Sequence, residues 1–452
     1  MVTRAITNPG GRAAIRYGWH DRFKIPLEHP SALRFYLHNL FVPHSRREML
    51  WGTLARVSAP AGRAALPLLG VKAAGRLKGE RAGEGVGAEA HEAGGAAPDV
   101  LTERLAARLR EAGVSLAREV SAITLDDYRH SAREKVVVFL FERGAQLPRL
   151  VAKASRNPAH RAALAQEHAT LEALRARLGE GLTRTLPEPL AAVEDGGLAA
   201  FAEAYVPGRS VYFEMRNGWL PRRRAAEHFR LALAWLAEFQ KETRAGEASL
   251  AGEVLAENVV KPLRAYQRAC SPSAEERTFI AGVLRRAEGL RGERFPLVAR
   301  QGDFWARNLL VCGGRLCVLD WEHYAERAAP FEDLFLFATS YALSYPWRLG
   351  RWAEPAAALR AAFKGTGWMA RLVRRSLLGH CAGLGVRPAL LEVFFPAFLA
   401  ARAAEEKGRG GGGKGARRKS RADSAEGSGT WGSLFQEYAR TGGAACFGSS
   451  TR

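Results

Sequence analysis

Three polar residues within 299–322 have types and spacings that suit phosphoryl transfer. Asp303 is followed five residues later by Asn308, and two apolar segments then lead to Asp320. A carboxylate can orient or deprotonate a hydroxyl nucleophile, whereas an amide oxygen and a second carboxylate are hard ligands suited to Mg²⁺. Transfer of a phosphoryl group depends mostly on positioning and charge neutralisation, and these three side chains could supply both.

A β-hairpin is predicted to bring Asn308 and Asp320 together. The segments 309–312 and 315–319 are apolar strands, and Gly313-Gly314 between them is a two-residue turn, because glycine accepts the positive φ that such turns need. The two ends of the hairpin then place Asn308 and Asp320 on opposite strands at one edge.

The same register bears on two cysteines. Cys312 is predicted to lie opposite Arg315, and Cys317 opposite Leu310. The cysteines are therefore not direct cross-strand partners, and no disulfide between them is expected.

Upstream, a lysine and a glutamate are predicted to form an ion pair. The run 135–141 and the run 149–154 read as two strands, and the second carries Lys153 among apolar residues. Leucines mark one stripe of a helix over 161–178, and Glu167 lies on that stripe. An inward carboxylate needs a cationic partner, and Lys153 is the candidate.

Asp303, Asn308 and Asp320 together resemble the Brenner motif and the following metal-binding aspartate of the aminoglycoside phosphotransferase and choline kinase-like family. The resemblance implies that Asp303 orients or deprotonates the substrate hydroxyl, while Asn308 and Asp320 bind Mg²⁺. It also implies that ATP is the phosphoryl donor and that the acceptor is a hydroxyl of a small molecule such as an aminoglycoside, choline or a sugar.

The resemblance extends to the nucleotide-binding residues. Lys153 and Glu167 look like the strand-lysine and helix-glutamate pair that holds nucleotide phosphates. Tyr205 and Val206 look like the hinge, where backbone groups would face the adenine. Asp333 resembles the aspartate that follows the metal loop, and we interpret it as a cap or brace rather than a catalyst.

Two departures from the family pattern favour an alternative function. Gln301 stands where the family usually has a histidine, and residues 126–134, where a phosphate-covering loop is expected, contain no glycine. These features favour a catalytically weak pseudokinase that acts as a nucleotide-binding or scaffold module. The role of Arg307 stays open between contact with the γ-phosphate and an ordinary surface position.

The expected fold is of the α+β class: a bilobal, protein-kinase-like fold with a small β-rich N-lobe and a mainly helical C-lobe. We expect an N-terminal helical module at 1–78, from short helices beginning at 25, 32 and 49, and a linker at 79–98. The N-lobe is placed at 99–205 and the C-lobe at 206–406. A Gly/Lys/Arg/Ser-rich linker at 407–429 and a tail at 430–452, with a short helix over 434–440, complete the chain.

The composition limits the other function classes. The chain of 452 residues has a formal net charge of +21, but the basic residues are dispersed, so nucleic-acid binding is not favoured as the main function. A near-match to a phosphate-binding loop at 408–415 lacks the hydroxyl residue after Lys414 and follows no strand. For 1–78, contact with anionic lipid or a partner protein is the alternative to packing on the kinase lobe.

The cysteines and the apolar segments suggest a location. Five cysteines without metal-binding spacing, no signal-peptide pattern and no long apolar run favour a reduced cytoplasm and no transmembrane segment. The oligomeric state is not indicated by the sequence.

Overall fold

The chain divides into two units, one comprising Met1–Arg177 and Leu186–Pro207, the other Leu178–Thr185 and Gly208–Arg452. The computed structural model describes residues 4–7, 13–17, 23–26, 31, 35–36, 98–127, 135–216, 220–345, 354–410 and 430–442. The first unit continues two residues beyond the predicted end of the N-lobe at 205, and the short segment 178–185 belongs to the second unit.

An antiparallel sheet of eight strands organises the first unit, in the order β1-β2-β3-β4-β5-β6-β8-β7. The strands are β1 (Arg4–Thr7), β2 (Ala13–Tyr17), β3 (Phe23–Pro26), β4 (Val120–Asp127), β5 (Lys135–Glu142), β6 (Leu150–Ser155), β7 (Pro189–Asp195) and β8 (Leu198–Ala204). The strands predicted at 135–141 and 149–154 are confirmed as β5 and β6.

The three N-terminal strands correct the prediction of a wholly helical module at 1–78. Ile25 and Pro26, predicted to begin a helix, lie in β3, which pairs with β4 through Phe23 opposite Leu125. The pairing with β3 covers an edge of β4 that would otherwise be exposed. The N-terminal segments are short and basic, and they show too little periodicity for strands to be predicted from the sequence. Ser31 and Phe35 are helical, whereas the helix predicted at 49–54 and the linker at 79–98 lie outside the described residues, apart from the final Pro98.

Two helices accompany this sheet, α1 (Pro98–Glu111) and α2 (Pro158–Arg177). Leu105 and Leu109 of α1 belong to a buried apolar cluster with Val138, Leu140 and Ala152 of the central strands. These side chains are buried, and β5 and β6 are interior strands of the sheet. Lys153 on β6 therefore lies in the interior of the sheet.

The second unit is mainly helical. Its helices are α3 (Glu180–Thr183), α4 (Val211–Arg216), α5 (Arg222–Glu242), α6 (Gly252–Leu255), α7 (Lys261–Cys270), α8 (Ala274–Gly289), α9 (Glu332–Ser344), α10 (Pro355–Leu359), α11 (Trp368–Leu384), α12 (Leu391–Gly410) and α13 (Thr430–Arg440). Shorter π-helical and 3₁₀ turns occupy Ala256–Val260, Arg360–Lys364 and Pro388–Leu390. The predicted α+β class, with a β-rich part and a mainly helical part, is confirmed.

Short strands in the second unit lie within and around the segment 299–322. They are β9 (Arg209–Ser210), β10 (Glu247–Ser249), β11 (Arg294–Pro296), β12 (Val298–Arg300), β13 (Leu309–Cys312), β14 (Arg315–Val318) and β15 (Ala325–Ala328). Beneath them, Trp235 of α5 stacks on Phe304 with ring centroids 5.4 Å apart and contacts Trp321 at 6.2 Å. This buried aromatic cluster gives the loop that follows β12 a rigid base.

The C-terminal part departs slightly from the predicted boundaries. Helix α12 continues through residues 407–410, which were assigned to a linker, because the Ala/Glu/Lys-rich segment before the glycine run favours helix. Helix α13 begins at Thr430, four residues before its predicted start. The Glu406 carboxylate accepts hydrogen bonds of 2.9 Å from the backbone amides of Thr430 and Trp431, and thus caps α13. Among the described residues, no helix is both long and apolar enough to cross a membrane.

Candidate active site

Lys153 and Glu167 form a close ion pair within the first unit. Lys153 Nζ lies 2.5 Å from Glu167 Oε1, and the two side chains are only 12% and 3% exposed. Lys153 occupies an interior strand, opposite Val137 on one side and Phe201 on the other, while Glu167 lies on the buried face of α2. The pairing predicted from the apolar stripe of the helix is therefore present in the structure.

A second carboxylate near Lys153 was not predicted from the sequence. Glu203 Oε1 lies 3.8 Å from Lys153 Nζ, and its side chain is also largely buried. The sheet register explains its position: Lys153 is opposite Phe201 of β8, so Glu203, two residues further along β8, lies on the same face as Phe201. Locating it from sequence would have required knowing that β6 pairs with β8 rather than β7.

Tyr205 and Val206 follow β8 directly, as predicted for the hinge. The Tyr205 amide donates a hydrogen bond of 3.3 Å to the Arg149 carbonyl, which continues the pairing of β6 with β8 by one step. The Tyr205 ring packs edge-on against Phe35, with centroids 5.6 Å apart. Tyr205 and Val206 are both partly buried, and the first unit ends at the next residue, Pro207.

The hairpin that carries Asn308 and Asp320 has the predicted register. Cys312 pairs with Arg315 and Leu310 with Cys317, around a turn in which Gly313 and Gly314 have φ of 54° and 81°. At the open end, the Leu319 amide donates a hydrogen bond of 2.8 Å to the Asn308 carbonyl. This bond brings the residue before Asp320 next to Asn308.

Asp320 has an unusual backbone conformation. Its φ is 64°, one of only two positive values among the described non-glycine residues. Aspartate tolerates the left-handed region better than most residues, yet the conformation still costs free energy. Such outliers are concentrated at functional sites, where the surrounding structure holds them in place.

Asp303 is held by hydrogen bonds to one of its carboxylate oxygens. Asn308 Nδ2 donates to Asp303 Oδ2 at 2.8 Å and to the Asp303 carbonyl at 3.0 Å, and Trp305 Nε1 donates to the same Oδ2 at 3.1 Å. Among the described contacts both side-chain donors use Oδ2, and neither uses Oδ1. Burial, together with the nearby Asp320 carboxylate, raises the pKa of Asp303 above its ordinary value.

Gln301 connects Asp303 to Asp320. Its Oε1 accepts a hydrogen bond of 2.8 Å from the Asp303 amide, while its Nε2 donates to the Leu319 carbonyl at 3.1 Å and to the Asp320 carbonyl. The side chain is fully buried. An amide both donates and accepts, so Gln301 can brace the loop from both sides in the position where the family usually has histidine.

Asp333 supports the same loop from α9. Its carboxylate oxygens accept hydrogen bonds from the Gln301 amide at 2.7 Å and the Gly302 amide at 2.9 Å. Helix α9 has Phe331 at its N-cap, and the two bonds of Asp333 go to the loop, so of the two predicted roles the structure supports the brace. Complete burial raises the pKa of Asp333 to about 6, against the opposing effect of the two backbone donors.

Gly302 is required by a close backbone approach. Its φ is +87°, and a Cβ added there would lie 2.3 Å from the His323 carbonyl oxygen. The loop before Asp303 and the segment after Asp320 can therefore come this close only with glycine at 302.

Arg307 is a stacked residue rather than an ordinary surface arginine. Its guanidinium lies 4.4 Å from the ring centroid of Tyr212 and 4.9 Å from that of Trp305, and it donates to Tyr212 Oη at 3.1 Å. Sequence reasoning missed both aromatic partners. The signal for Trp305 was its position two residues before Arg307 in Phe304-Trp305-Ala306-Arg307, because an arginine near an aromatic residue can stack on its ring.

The donor chemistry of Asn308 and Asp320 fits a hard divalent cation. Because the amide nitrogen of Asn308 faces Asp303, its carbonyl oxygen is turned away from Asp303. That oxygen and the Asp320 carboxylate are the ligand types that Mg²⁺ and Ca²⁺ take, with water and phosphate oxygens completing the shell. No soft ligand belongs to this set.

Comparison with solved structures gives matches at low sequence identity. They include the amicoumacin kinase hAmiN in complex with AMP-PNP, Ca²⁺ and Ami, at 11% identity, covering 74% of this chain and 96% of that one with a TM-score of 0.43. They also include the macrolide 2′-phosphotransferase MphH from Brachybacterium faecium, at 17% identity, 78% and 99% coverage and a TM-score of 0.43. A choline/ethanolamine kinase family protein from Mesorhizobium loti matches at 14% identity, 76% and 99% coverage and a TM-score of 0.39.

With identities and TM-scores this low, the assignment rests on the family-level comparison. A search of curated proteins gives no significant match. The family model described as the phosphotransferase enzyme family matches residues 133–372, slightly more than half of the chain. That range contains Lys153, Glu167 and the whole segment 299–322. The chain belongs to the phosphotransferase enzyme family and is a phosphotransferase.

Proposed function

We propose that the protein transfers the γ-phosphoryl group of ATP to a hydroxyl of a small molecule in a Mg²⁺-dependent reaction. The observation that carries the proposal is the arrangement at Asp303, where Asn308 and Trp305 both bind Oδ2 and leave Oδ1 for the acceptor. A catalytic carboxylate needs this kind of fixed orientation, because small misplacements of a reacting group reduce the rate strongly.

Asp303 acts on the acceptor hydroxyl. Its Oδ1 accepts the hydroxyl hydrogen bond, aligns the oxygen for attack on the γ-phosphorus and takes the proton as the new O–P bond forms. The bond between the γ-phosphorus and the β,γ-bridging oxygen breaks in the same step, and ADP leaves with that oxygen. The raised pKa of Asp303, caused by burial and the neighbouring Asp320, makes it a stronger base than an exposed aspartate. Trp305 and Asn308 hydrogen-bond to Oδ2 of Asp303, so the proton is taken up on Oδ1.

Asn308 and Asp320 are the residues that would hold the metal. Mg²⁺ held there would neutralise the charge that develops on the phosphate oxygens. The hairpin bond between the Leu319 amide and the Asn308 carbonyl fixes the two ligands relative to each other. Gln301 ties the Asp320 backbone to Asp303, so the metal ligand and the base are part of one hydrogen-bonded unit.

Lys153 binds the α- and β-phosphates of the nucleotide, and Glu167 orients the lysine. Glu203, 3.8 Å from the ammonium, gives the lysine a second anionic neighbour. A phosphate group that reaches Lys153 therefore competes with two carboxylates for the same cation. Backbone groups of Tyr205 and Val206 are proposed to contact the adenine.

The acceptor is proposed to be an aminoglycoside-, choline- or sugar-like alcohol. The contacts that would distinguish among these classes belong to the second unit, and the described residues do not single out one of them. The alternative of a catalytically weak pseudokinase drew on Gln301 and on the lack of glycine at 126–134, of which 128–134 lie outside the described residues. The hydrogen bonds of Gln301 to Asp303 and Asp320 show that the loop is braced without histidine.

A thermal-shift titration with ATP, with and without Mg²⁺, tests nucleotide binding, and ATP turnover with pooled hydroxylated metabolites tests transfer. We expect a Mg²⁺-dependent stabilisation and turnover that requires an acceptor. Stabilisation without turnover against any pool would favour the pseudokinase. Absence of both would remove the nucleotide-site assignment.

A further inference from the structure

Two cysteines lie on one face of the hairpin that joins Asn308 to Asp320. Cys312 pairs with Arg315 on β14, and Cys317 follows Arg315 by two residues, so Cys312 and Cys317 are diagonal neighbours on the same side of the ladder. Both are free thiols; Cys312 is partly exposed, and Cys317 is buried. The absence of direct cross-strand pairing, predicted from the sequence, is confirmed.

The two thiols nevertheless interact. The Cys312 Sγ donates to the Leu310 carbonyl at 3.9 Å, and the interaction between the two neighbouring thiols lowers the pKa of Cys317 and raises that of Cys312. The Arg315 charge lowers the pKa of Cys317 further, in opposition to burial. A thiol with a depressed pKa and a second thiol in contact is the arrangement found where cysteines are oxidised reversibly.

The backbone around Cys312 is also tightly packed. A Cβ added at Gly208 would lie 2.6 Å from Cys312 Sγ and 3.0 Å from the Val311 carbonyl oxygen. On its outer side β13 pairs with β9 through Leu310 opposite Ser210. Because there is no empty space beside Cys312, a displacement of its side chain moves the backbone of β13.

We propose that Cys312 and Cys317 form a reversible disulfide with a peroxide as oxidant, and that this disulfide distorts the hairpin end carrying Asn308 and Asp320. The second part rests on the proposed role of these two residues as metal ligands. The first part is independent of any activity of the protein.

The reaction balances with hydrogen peroxide as the oxidant. The Cys317 thiolate attacks one peroxide oxygen; an S–O bond forms, the O–O bond breaks, and the departing hydroxide takes a proton to become water. The Cys312 sulfur then attacks the sulfenic sulfur; the S–S bond forms, the S–O bond breaks, and the Cys312 proton leaves with the second water. Two thiols and one peroxide give one disulfide and two waters.

The geometry of a diagonal pair explains why the disulfide would act on the metal site. Diagonal neighbours in an antiparallel ladder have Cα atoms about 7–8 Å apart, whereas a relaxed disulfide needs about 4.4–6.8 Å. Closing that gap must shift one strand along the other. The bond between the Leu319 amide and the Asn308 carbonyl lies at the end of the same ladder and would lengthen or break. A disulfide under such strain is also easily reduced, as a regulatory one must be.

The test treats the full chain with hydrogen peroxide and maps disulfides by mass spectrometry of unreduced peptides. We expect a Cys312–Cys317 link that dithiothreitol removes. Hydrogen exchange then follows the Leu319 amide, which should exchange faster in the oxidised protein. Mg²⁺-dependent binding of ATP should weaken about 10- to 100-fold, the range typical when groups that orient metal ligands are disturbed, and should recover on reduction.

Two variants serve as controls. Cys312→Ala should abolish the link and the peroxide effect, whereas Cys270→Ser, which alters a cysteine on α7 away from the hairpin, should leave both unchanged. Thiols that remain unlinked, or pair with other cysteines, would overturn the proposal. So would a Cys312–Cys317 link that leaves Leu319 exchange unaltered. If the reduced protein binds no Mg·ATP, the proposed function fails, but peptide mapping and Leu319 exchange still decide the disulfide proposal.

Discussion

The Asn308 amide nitrogen lies 2.8 Å from Asp303 Oδ2 and donates a hydrogen bond to it. A second bond of 3.0 Å runs from the same nitrogen to the Asp303 carbonyl oxygen. Asn308 thus has two functions on one side chain: its nitrogen orients the base, and its carbonyl oxygen is left for the metal.

The variant Asn308→Asp separates these two functions. It retains an oxygen ligand but replaces the donor with a carboxylate that repels Asp303. We expect Mg²⁺-dependent ATP binding to be largely kept while kcat falls about 10²-fold, because the base is no longer held in position. Steady-state kinetics and nucleotide titrations measure the two effects, and an unchanged kcat would show that the bond to Asp303 has no catalytic importance.

The ion pair between Lys153 and Glu167 gives a prediction for both stability and binding. Lys153→Met removes the cation 2.5 Å from a nearly buried carboxylate, and we expect the free energy of unfolding to fall by about 3–5 kcal/mol and ATP affinity to drop. Adding Glu167→Leu should restore stability but not ATP affinity. Lys241→Met, at an exposed position on α5, is the matched control.

A double variant that regains ATP affinity together with stability would contradict the assignment of Lys153 to the phosphates. Denaturant unfolding and calorimetric titration distinguish the two results, because the first reports the ion pair and the second the nucleotide contact.

Two glycine substitutions compare steric overlap with backbone strain. Both Gly302 and Gly313 have positive φ, but a Cβ at 302 would meet the His323 carbonyl at 2.3 Å, whereas nothing lies within 4 Å at 313. We expect Gly313→Ala to cost about 1 kcal/mol and Gly302→Ala more than about 3 kcal/mol. Urea unfolding measures both, and similar costs would mean that the segment after Asp320 moves away easily.

Glu214 makes stability depend on acid pH. Its carboxylate binds Arg224 at 2.8 Å and the buried His228 at 3.1 Å, and these partners outweigh burial and lower its pKa to about 2. Below the unfolded-state pKa near 4.5 the unfolded chain binds this proton first, so the stabilisation present at neutral pH is lost as pH falls towards 2.

Glu214→Gln should accordingly lower the melting temperature at pH 7 and flatten its decline between pH 5 and pH 2. Glu288→Gln, at an exposed position on α8, should leave the profile as in the original chain. Melting temperatures across this range give the comparison, and parallel curves for Glu214→Gln and the original chain would contradict the pKa assignment.

The sequence predicted those features that depend on local periodicity and spacing. The hairpin register followed from Gly313-Gly314, and the pairing of Lys153 with Glu167 followed from a carboxylate on an apolar stripe. Both rest on contacts that a short segment defines by itself, or on the cost of an unpaired buried charge.

Which strands are neighbours in the sheet could not be predicted from the sequence. The three N-terminal strands and the proximity of Glu203 to Lys153 depend on which strands are neighbours in the sheet, and that order is set by packing of the whole unit. The double role of Gln301 was also hidden, because its partners Leu319 and Asp320 are brought to it only by the folded hairpin.

The central claim is that Asp303 acts on the acceptor rather than on the nucleotide. Its most direct test measures ATP turnover with pooled hydroxylated metabolites for the original chain and for Asp303→Asn, both at Mg·ATP concentrations that saturate the site. Asn keeps the shape and the contacts of Oδ2 but cannot take a proton at Oδ1. The account predicts unchanged Mg·ATP affinity with turnover reduced at least about 10²-fold. Turnover within a few-fold of the original chain, or a parallel loss of Mg·ATP binding, would contradict it.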